Sequence, residues 1–192
     1  VYVHGNNKSP QELREALAAG VGHVVVDNFR EAVLLNETAA AMGKRQPVLL
    51  RVSPNVDPHT HRHITTGALD SKFGVPIATG QAEEAVQSLA SSPALDLVGL
   101  HAHIGSQIFE VEPFQQACKT LIEFAAHLKR RHAVSKLSLG GGFAVQYLRG
   151  VAAPSREDYA EAVVLALKEG CGAHDLPPPR LIVEPGRSLV AR

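Results

Sequence analysis

The sequence predicts an α/β protein with a parallel sheet, and part of a (β/α)8 TIM-type barrel is the favoured architecture. Six short apolar runs alternate with segments of helical periodicity, and strands of a buried parallel sheet have this apolar character on both faces. No G-x-G-x-x-G motif follows the first apolar run, so the sequence lacks the signature of a dinucleotide-binding doubly wound sheet. An open doubly wound sheet remains an alternative to the barrel.

Glycine-rich and charged sequences follow the last two runs, and they favour the barrel. These runs end in "LSLGGGF" and "LIVEPGR", and barrel enzymes often hold phosphate in the loops after strands 7 and 8. If the visible runs are the last six of eight strands, the two loops follow strands 7 and 8. The chain would then contain about six of the eight strands and lack the first ones. Its start inside a strand, without an initiator methionine, agrees with a portion of a longer protein.

The individual elements have recognisable ends. The predicted strands span 1–4, 23–27, 47–52, 95–103, 136–139 and 180–184. Ser9 and Asn28 each stand three residues before a glutamate, as in a capping box, and Ser155 caps a third helix. Glycines are expected to end these three helices: Gly20, Gly43 and Gly170. Two further helices are expected over 80–91 and 113–132.

The composition is that of an ordinary globular domain. Among 192 residues, 45% are apolar and 20% charged, and 19 lysines and arginines balance 19 aspartates and glutamates. This balance gives no electrostatic reason to expect nucleic acid or an anionic membrane as a partner, and no apolar run is long enough to span a bilayer. Cys118 and Cys171 match no metal spacing, which indicates a cytoplasmic, reduced protein.

The residues with chemical potential stand at the ends of the predicted strands. They are His4, Asp27, Arg51, His101, His103, Gly140 to Gly142, Glu184 and Arg187. In a parallel barrel this end of the sheet is the catalytic face. The three glycines suit an anion such as phosphate because their amides are accessible, although a tight turn explains them equally well.

The "EPGR" sequence has two interpretations. Glu184 and Arg187 fit a structural ion pair, which the spacing alone favours. The alternative is that Glu184 faces a protonated ring nitrogen, which makes a pyridine cofactor an effective electron sink.

Several histidines and lysines also suggest possible chemistry, but their patterns are less specific than those at the strand ends. The His101/His103 pair has the spacing of a barrel metal site, but no carboxylate or cysteine stands at ligand spacing from it. His59, His61 and His63 alternate in a proline-bounded loop, which is more typical of a solvated or substrate-facing segment. Either Lys8 or Lys72 would serve as a Schiff-base nucleophile, yet their loop positions favour surface or anion-pairing roles.

Seven segments together carry a family resemblance. In order they are "HGNNKS", "VVDN", "LLRVSPNVDPHTH", "TGALDSKFG", "GLHAHIGSQI", "LGGGF" with Tyr147, and "EPGR". The set closely resembles the diaminopimelate decarboxylase family of the alanine racemase-like pyridoxal-phosphate enzymes, and it covers essentially the whole chain. "DPHTH", "DSKFG" and "HIGSQ" are its specific parts.

The resemblance implies a role for each matching residue. Residues 1–192 would be the central to C-terminal part of a pyridoxal-phosphate barrel that a β-domain follows. His103 would stack on the cofactor ring, and Glu184 would face its nitrogen, as the two catalytic residues. Phosphate contacts would come from Ser106, Gly140, Gly141, Gly142, Gly186 and Arg187. Arg187 would also reach a substrate carboxylate, and Arg51 would support the cofactor's hydroxyl side. His101 would be a neighbour in the wall, and no metal is expected.

The implied reaction is the decarboxylation of meso-2,6-diaminopimelate to L-lysine and carbon dioxide, by a homodimeric full-length protein. Alternatives within the family are a decarboxylase of another basic amino acid or polyamine precursor, and a non-catalytic relative. A metal-dependent barrel hydrolase is a distant alternative from outside the family. The family's Schiff-base lysine precedes "HGNNKS" and is not in this chain, so these residues alone are expected to be inactive. Ala144 replaces the glycine of "GGGFG", which matters only if that position needs positive φ.

Overall fold

A computed structural model describes residues 1–56, 73–147, 149–150 and 152–191 of the chain. The strands are β1 Tyr2–Val3, β2 His23–Val26, β3 Gln46–Ser53, β4 Val75–Pro76, β5 Leu95–His101, β6 Lys136–Ser138 and β7 Arg180–Ile182. They form one parallel sheet with the order β1-β2-β3-β5-β6-β7, and the short β4 pairs with β3 outside this order. The six strands of the main order curl into half a barrel, which confirms the predicted α/β architecture.

The helices connect successive strands, as the parallel sheet requires. They are α1 Pro10–Ala18, α2 Phe29–Ala41, α3 Gln81–Ala90, α4 Glu112–Leu128, α5 Arg156–Ala173 and α6 Gly186–Val190. Ser9 forms the predicted capping box, and Ser155, which was predicted to cap α5, also forms a complete one. Asn28 caps α2 through the Glu31 amide, whereas the Glu31 side chain binds Lys8 instead of closing the box. None of the described helices is long and apolar enough to cross a membrane.

Two predicted helix ends were wrong. Helix α4 ends at Leu128 and not at residue 132, and the end of α5 differs for a packing reason. Helix α5 continues through Gly170 to Ala173. A Cβ on Gly170 would lie 3.0 Å from Ile122 Cγ2 on α4, so this glycine allows two helices to approach each other. The short β4 and α6 were not predicted, because neither is long enough to show a hydrophobic period.

The core lies between the sheet and its helices. Strand residues such as Val24, Val26, Val48 and Leu100 are fully buried against the apolar faces of the helices. An aromatic cluster of Phe114, Phe143 and Tyr159 anchors the loop after β6 from the helical side. The rings of α4 and α5 thus hold a loop at the C-terminal end of the sheet.

The register of the strands aligns polar residues at that end. Arg51 pairs with His101, and His101 pairs with Ser138. A register shift at Val48/Leu49 places Leu49 opposite Gly99, so β5 has one extra residue relative to β3. Because a one-residue slip turns a side chain to the other face of the sheet, this bulge determines that His101 lies on the same side as Arg51.

Several predicted features lie outside the described residues. They are His59, His61, His63 and Lys72, with "DPHTH" and most of "DSKFG".

Candidate active site

Polar side chains from neighbouring strands meet at the C-terminal edge of the sheet. Arg51, His101 and Ser138 form one row across β3, β5 and β6, and Glu184 follows β7. Side chains in register on parallel strands project to the same face. Ser138 and His101 are both 1% exposed, so the row forms a buried floor.

Glu184 makes its polar contacts through one oxygen. Its Oε1 accepts a hydrogen bond from Ser138 Oγ at 2.8 Å. The Nε2 atoms of His101 and His4 lie 3.2 and 3.5 Å from the same oxygen. Neither His101 nitrogen makes a well-directed hydrogen bond to a described residue, so the 3.2 Å contact is its main polar interaction. Glu184 Oε2 has no polar partner in the described part of the chain.

The surroundings keep Glu184 ionised and the histidines neutral. Burial alone would raise the pKa of Glu184, but contacts from His101, His4 and Ser138 outweigh it and lower the pKa to about 2. Burial lowers the pKa of His101 despite the opposing effect of Glu184, and it lowers the pKa of His4 likewise. Near neutral pH the floor therefore contains one carboxylate between neutral imidazoles.

This pKa shift predicts a pH dependence of stability. Because the pKa of Glu184 is about 2 in the folded protein against 4.5 ordinarily, its charge stabilises the fold above pH 4.5, and the contribution is lost between pH 4.5 and 2. The melting temperature of the full-length protein should exceed that of a Glu184→Gln variant at pH 7, and the difference should shrink on acidification to pH 3. A difference independent of pH would contradict the assignment.

His103 forms part of the wall of the adjacent cleft. Its Nδ1 accepts a hydrogen bond from the Gly141 amide at 3.2 Å, which requires an unprotonated Nδ1 and fixes the plane of the ring. Partial burial lowers the pKa of His103, and the charge of Arg51 lowers it further. The imidazole is therefore neutral, with its orientation set by the glycine loop.

The glycine triplet packs against both neighbouring loops. A Cβ on Gly141 would lie 2.3 Å from the Glu184 carbonyl oxygen, and one on Gly142 would lie 2.3 Å from the Gly105 carbonyl oxygen. Gly140 and Gly142 also have φ values of +68° and +103°, which disfavour other residues. The three loops thus approach at a distance that only glycine permits.

Two of the three glycine amides donate within the protein. Gly140 donates to Ser138 Oγ and Gly141 to His103 Nδ1. Gly142 N–H has no acceptor among the described residues, while Ile108 N–H donates to its carbonyl oxygen. Gly142 therefore offers the available amide. Ala144 does not have positive φ, so alanine is compatible with the backbone there.

A cleft of about 210 Å³ opens between these loops. Its lining includes His103, Ser106, Gly142, Glu184, Gly186 and Arg187. The Gly186 amide donates to the Glu184 carbonyl oxygen, which ties the two ends of the "EPG" turn. A carboxylate therefore lies at one side of the cleft and a guanidinium at the other.

Arg187 does not pair with Glu184, contrary to the ion pair that spacing alone favours. Its guanidinium donates to Ser106 Oγ at 2.8 Å and to Tyr147 Oη at 3.0 Å. These partners are neutral, and no carboxylate in the described ranges lies within ion-pair distance. A cation with hydroxyl partners alone is suited to binding an anion.

Contacts with Asp27 and Phe73 fix the position of the Arg51 guanidinium. Asp27, which is 4% exposed, lies 3.2 Å from the guanidinium and also accepts the Gly74 amide at 3.1 Å. The guanidinium lies 4.8 Å from the Phe73 ring centroid. Ion pairing and stacking fix its direction.

Lys8 is buried, so it is not a surface lysine, but it has the anion-pairing role that was the other expectation. Its ammonium group lies 2.7 Å from Glu31 and donates to the carbonyl oxygens of Gly5 and Val25. These contacts tie the loop after β1, which contains His4, to β2 and α2. Lys8 is fully engaged and is not available as a nucleophile.

Removing the Lys8 charge should destabilise the protein strongly. A Lys8→Met change leaves Glu31 buried without its cation, and breaking a buried pair costs about 3–5 kcal/mol. We expect a lower melting temperature for full-length Lys8→Met, with part of the loss recovered in Lys8→Met/Glu31→Leu. Equal losses in the single and double variants would show that the pair itself is unimportant.

His101 and His103, which have the spacing of a barrel metal site, do not form such a site together. His101 instead lies with His4 and Glu184, and one potential ligand atom from each falls within 4.8 Å of the others. His103 is outside this group. These three residues could hold a metal ion, and Glu184 supplies the carboxylate that sequence spacing could not reveal.

Ser138 was missed by sequence reasoning. It lies two residues before the glycines in "LSLGGG", and its side chain contacts Glu184 and Gly140. The available signal was a polar residue between two leucines, just before the glycine triplet.

Two features define the class of protein. The cleft lies at the C-terminal ends of a parallel half-barrel, where α/β barrel proteins bind ligands, and it offers a cation for an anionic group opposite a carboxylate for a basic one. This is a cofactor-binding α/β barrel domain. The chain belongs to the pyridoxal-dependent decarboxylases, and residues 1–191 match their pyridoxal binding domain.

Individual relatives agree with this family. The chain is 44% identical over 192 residues to a diaminopimelate decarboxylase of Actinosynnema pretiosum subsp. auranticum, with 100% of this chain aligned to 43% of that protein. The corresponding protein of Bacillus subtilis is 41% identical over 99% of this chain and 44% of its own length. A solved diaminopimelate decarboxylase from M. jannaschii in complex with L-lysine has 34% identity and a TM-score of 0.91, covering 99% of this chain and 44% of that one. The chain therefore spans less than half the length of these relatives.

The cleft fits pyridoxal phosphate, the cofactor of this family. Arg187, whose partners among the described residues are neutral, and the Gly142 amide suit a phosphate. The partially buried, ionised Glu184 suits a pyridinium nitrogen, because its Oε2 lacks a partner among the described residues. Both polar ends of the cofactor thus have a complementary group.

Proposed function

We propose that the full-length protein decarboxylates meso-2,6-diaminopimelate to L-lysine and carbon dioxide with pyridoxal phosphate, the last step of bacterial lysine biosynthesis. The observation that carries this proposal is the 44% identity to a diaminopimelate decarboxylase, which extends over all 192 residues. The L-lysine complex of the M. jannaschii relative supports the same product. Residues 1–192 form the central to C-terminal part of the cofactor-binding barrel in this proposal, because they cover less than half of the relatives' length.

Bound pyridoxal phosphate supplies a protonated pyridine ring that takes up the electrons left when carbon dioxide departs. Glu184 keeps the ring nitrogen protonated, because its carboxylate is ionised across the physiological range. His103 would stack face-on against the ring, and the hydrogen bond from the Gly141 amide to its Nδ1 fixes the plane of the imidazole. These are the two catalytic residues of the proposal.

The phosphate is held by the loops after β5, β6 and β7. Arg187 supplies charge and Ser106 a hydroxyl, and these two side chains already contact each other. Gly142 donates its amide, and Gly140 and Gly141 bring the loop close enough for this contact. Gly186 lines the same cleft. The Arg187 guanidinium also lies at the cleft wall, where it reaches a substrate carboxylate.

Arg51 supports the hydroxyl side of the cofactor ring. Its charge is directed by Asp27 at 3.2 Å and by the Phe73 ring. An arginine held from behind in this way donates its remaining N–H groups in a fixed direction.

The setting of the protein is part of the proposal. Cys118 and Cys171 are buried free thiols, which suits a cytoplasmic protein. The balanced charge suits an enzyme of small amino acids that needs neither nucleic acid nor a membrane. We propose a homodimer, and light scattering of the full-length protein tests this directly.

Turnover of competing amino acids tests the function. Purified full-length protein with pyridoxal phosphate should release L-lysine from meso-2,6-diaminopimelate in preference to decarboxylating L-ornithine or L-arginine. Preference for either of the latter would identify a decarboxylase of another basic amino acid. Cofactor binding with no turnover, in a full-length sequence without the Schiff-base lysine, would identify a non-catalytic relative.

A metal-dependent hydrolase is the second candidate, because His4, His101 and Glu184 place three ligand atoms within 4.8 Å. Elemental analysis of the purified full-length protein separates the two. Stoichiometric zinc without a cofactor chromophore would support the hydrolase, and stoichiometric pyridoxal phosphate without zinc would support the decarboxylase.

A further inference from the structure

The two oxygens of the Glu184 carboxylate have different environments. Oε1 is contacted by Ser138, His101 and His4, which follow or end three different strands. Oε2 has no polar contact with the described residues. Contacts at one oxygen restrict the rotamer of a carboxylate, and Glu184 itself lines the cleft.

The contact with Glu184 explains why the polar side chain of His101 is buried. The residue is 1% exposed, and a buried imidazole without a partner is destabilising. Neither of its nitrogens has a well-directed hydrogen bond to a described residue, and Glu184 Oε1 lies 3.2 Å from Nε2. The β5 bulge that places His101 opposite Arg51 also determines this contact.

His4 approaches from the other side of the half-barrel. Its ring centroid lies 5.0 Å from that of His101 at a tilt of 57°, and its Nε2 lies 3.5 Å from Oε1. The buried Lys8 holds the loop that contains His4. Strand β1, although it has two residues, therefore contributes to the environment of a carboxylate after β7.

We propose that His101, Ser138 and His4 are positioning residues that bind Glu184 Oε1 and thereby present Oε2 to the ring nitrogen of the cofactor. This inference rests on the proposed function and assigns His101 a task beyond packing in the wall. The titratable groups that interact with the carboxylate are His4 after β1, His101 on β5 and His103 after β5. Arg51 on β3 acts on all three histidines, and Lys8 acts on His4. A neutral His101 places its Nε2 atom 3.2 Å from Oε1 without adding charge to the floor.

The test uses full-length protein and cofactor labelled with ¹⁵N in the ring. The variants are His101→Phe, which keeps a ring without a donor, and His101→Gln, whose amide replaces Nε2–H. Two readouts are the dissociation constant for pyridoxal phosphate by absorbance titration and the ¹⁵N chemical shift of the bound ring nitrogen. Leu100→Ala is the control, because Leu100 is the fully buried neighbour of His101 on β5.

We expect His101→Phe to weaken cofactor binding about tenfold and to move the ¹⁵N shift towards that of an unprotonated pyridine. His101→Gln should restore both values towards wild type, and Ser138→Ala should reproduce the change in part. Leu100→Ala should lower the melting temperature and leave the ¹⁵N shift unchanged.

A wild-type shift and affinity in His101→Phe would overturn the inference while leaving the proposed function intact. A shift in Leu100→Ala as large as that in His101→Phe would also overturn it, because a general loss of packing would then be the cause. Failure of the wild-type protein to bind pyridoxal phosphate would overturn the proposed function and this inference together.

Discussion

Replacing Glu184 with glutamine should lower the decarboxylation rate of the full-length enzyme by about 10²–10³-fold, the effect of removing one preorganised electrostatic group from an active site. The amide has nearly the same shape as the carboxylate, but it carries no charge and cannot keep a ring nitrogen protonated. The wild-type carboxylate has a pKa of about 2, so it provides this charge at any physiological pH.

Steady-state kinetics with meso-2,6-diaminopimelate measures the effect, which should fall on kcat more than on KM. Glu161→Gln on α5 is the matched control, because it makes the same chemical change at an exposed position. A variant Glu184→Gln with a kcat within threefold of wild type would contradict the assigned role.

Replacing Gly141 with alanine should remove most cofactor binding. The new Cβ would lie 2.3 Å from the Glu184 carbonyl oxygen, a separation at which one of the two backbones must move. Such movement displaces the His103 hydrogen bond and the turn that contains Glu184 together. Overpacking of this kind typically costs about 1–3 kcal/mol, and here it acts on the contacts that form the cleft.

Absorbance titration with pyridoxal phosphate should show binding at least about tenfold weaker in Gly141→Ala. Gly172→Ala is the control, because a Cβ at that position in α5 meets no atom within 4 Å. It should bind the cofactor normally and be as stable as wild type or slightly more so. Wild-type affinity in Gly141→Ala would refute the close approach of the loops.

The sequence predicted the sheet and the location of the site because both depend on local patterns. Apolar runs between capped helices specify a parallel sheet, and polar residues at strand ends specify the edge where ligands bind. The helix starts at Ser9 and Ser155 were correct because a capping box lies within four residues. The roles of His103, Ser106, Glu184 and Arg187 came from the resemblance and remain proposals.

The features that escaped prediction depend on contacts between distant segments. The β5 bulge is a property of two strands together, and it determines that Arg51, His101 and Ser138 lie in one row. The Lys8–Glu31 pair joins the loop after β1 to the first turn of α2, and it replaces the expected second half of a capping box. Gly170 resembled a helix end but allows two helices to pack. Single-sequence patterns do not contain such pairings.

A crystal structure of the full-length protein with pyridoxal phosphate tests the central claim most directly. We expect the ring nitrogen against Glu184 Oε2, the ring on His103, and the phosphate on Arg187, Ser106 and the Gly142 amide. Oε1 should keep its contacts with Ser138, His101 and His4. A metal ion bound by His4, His101 and Glu184, or a cofactor phosphate bound away from the glycine loop, would contradict the account.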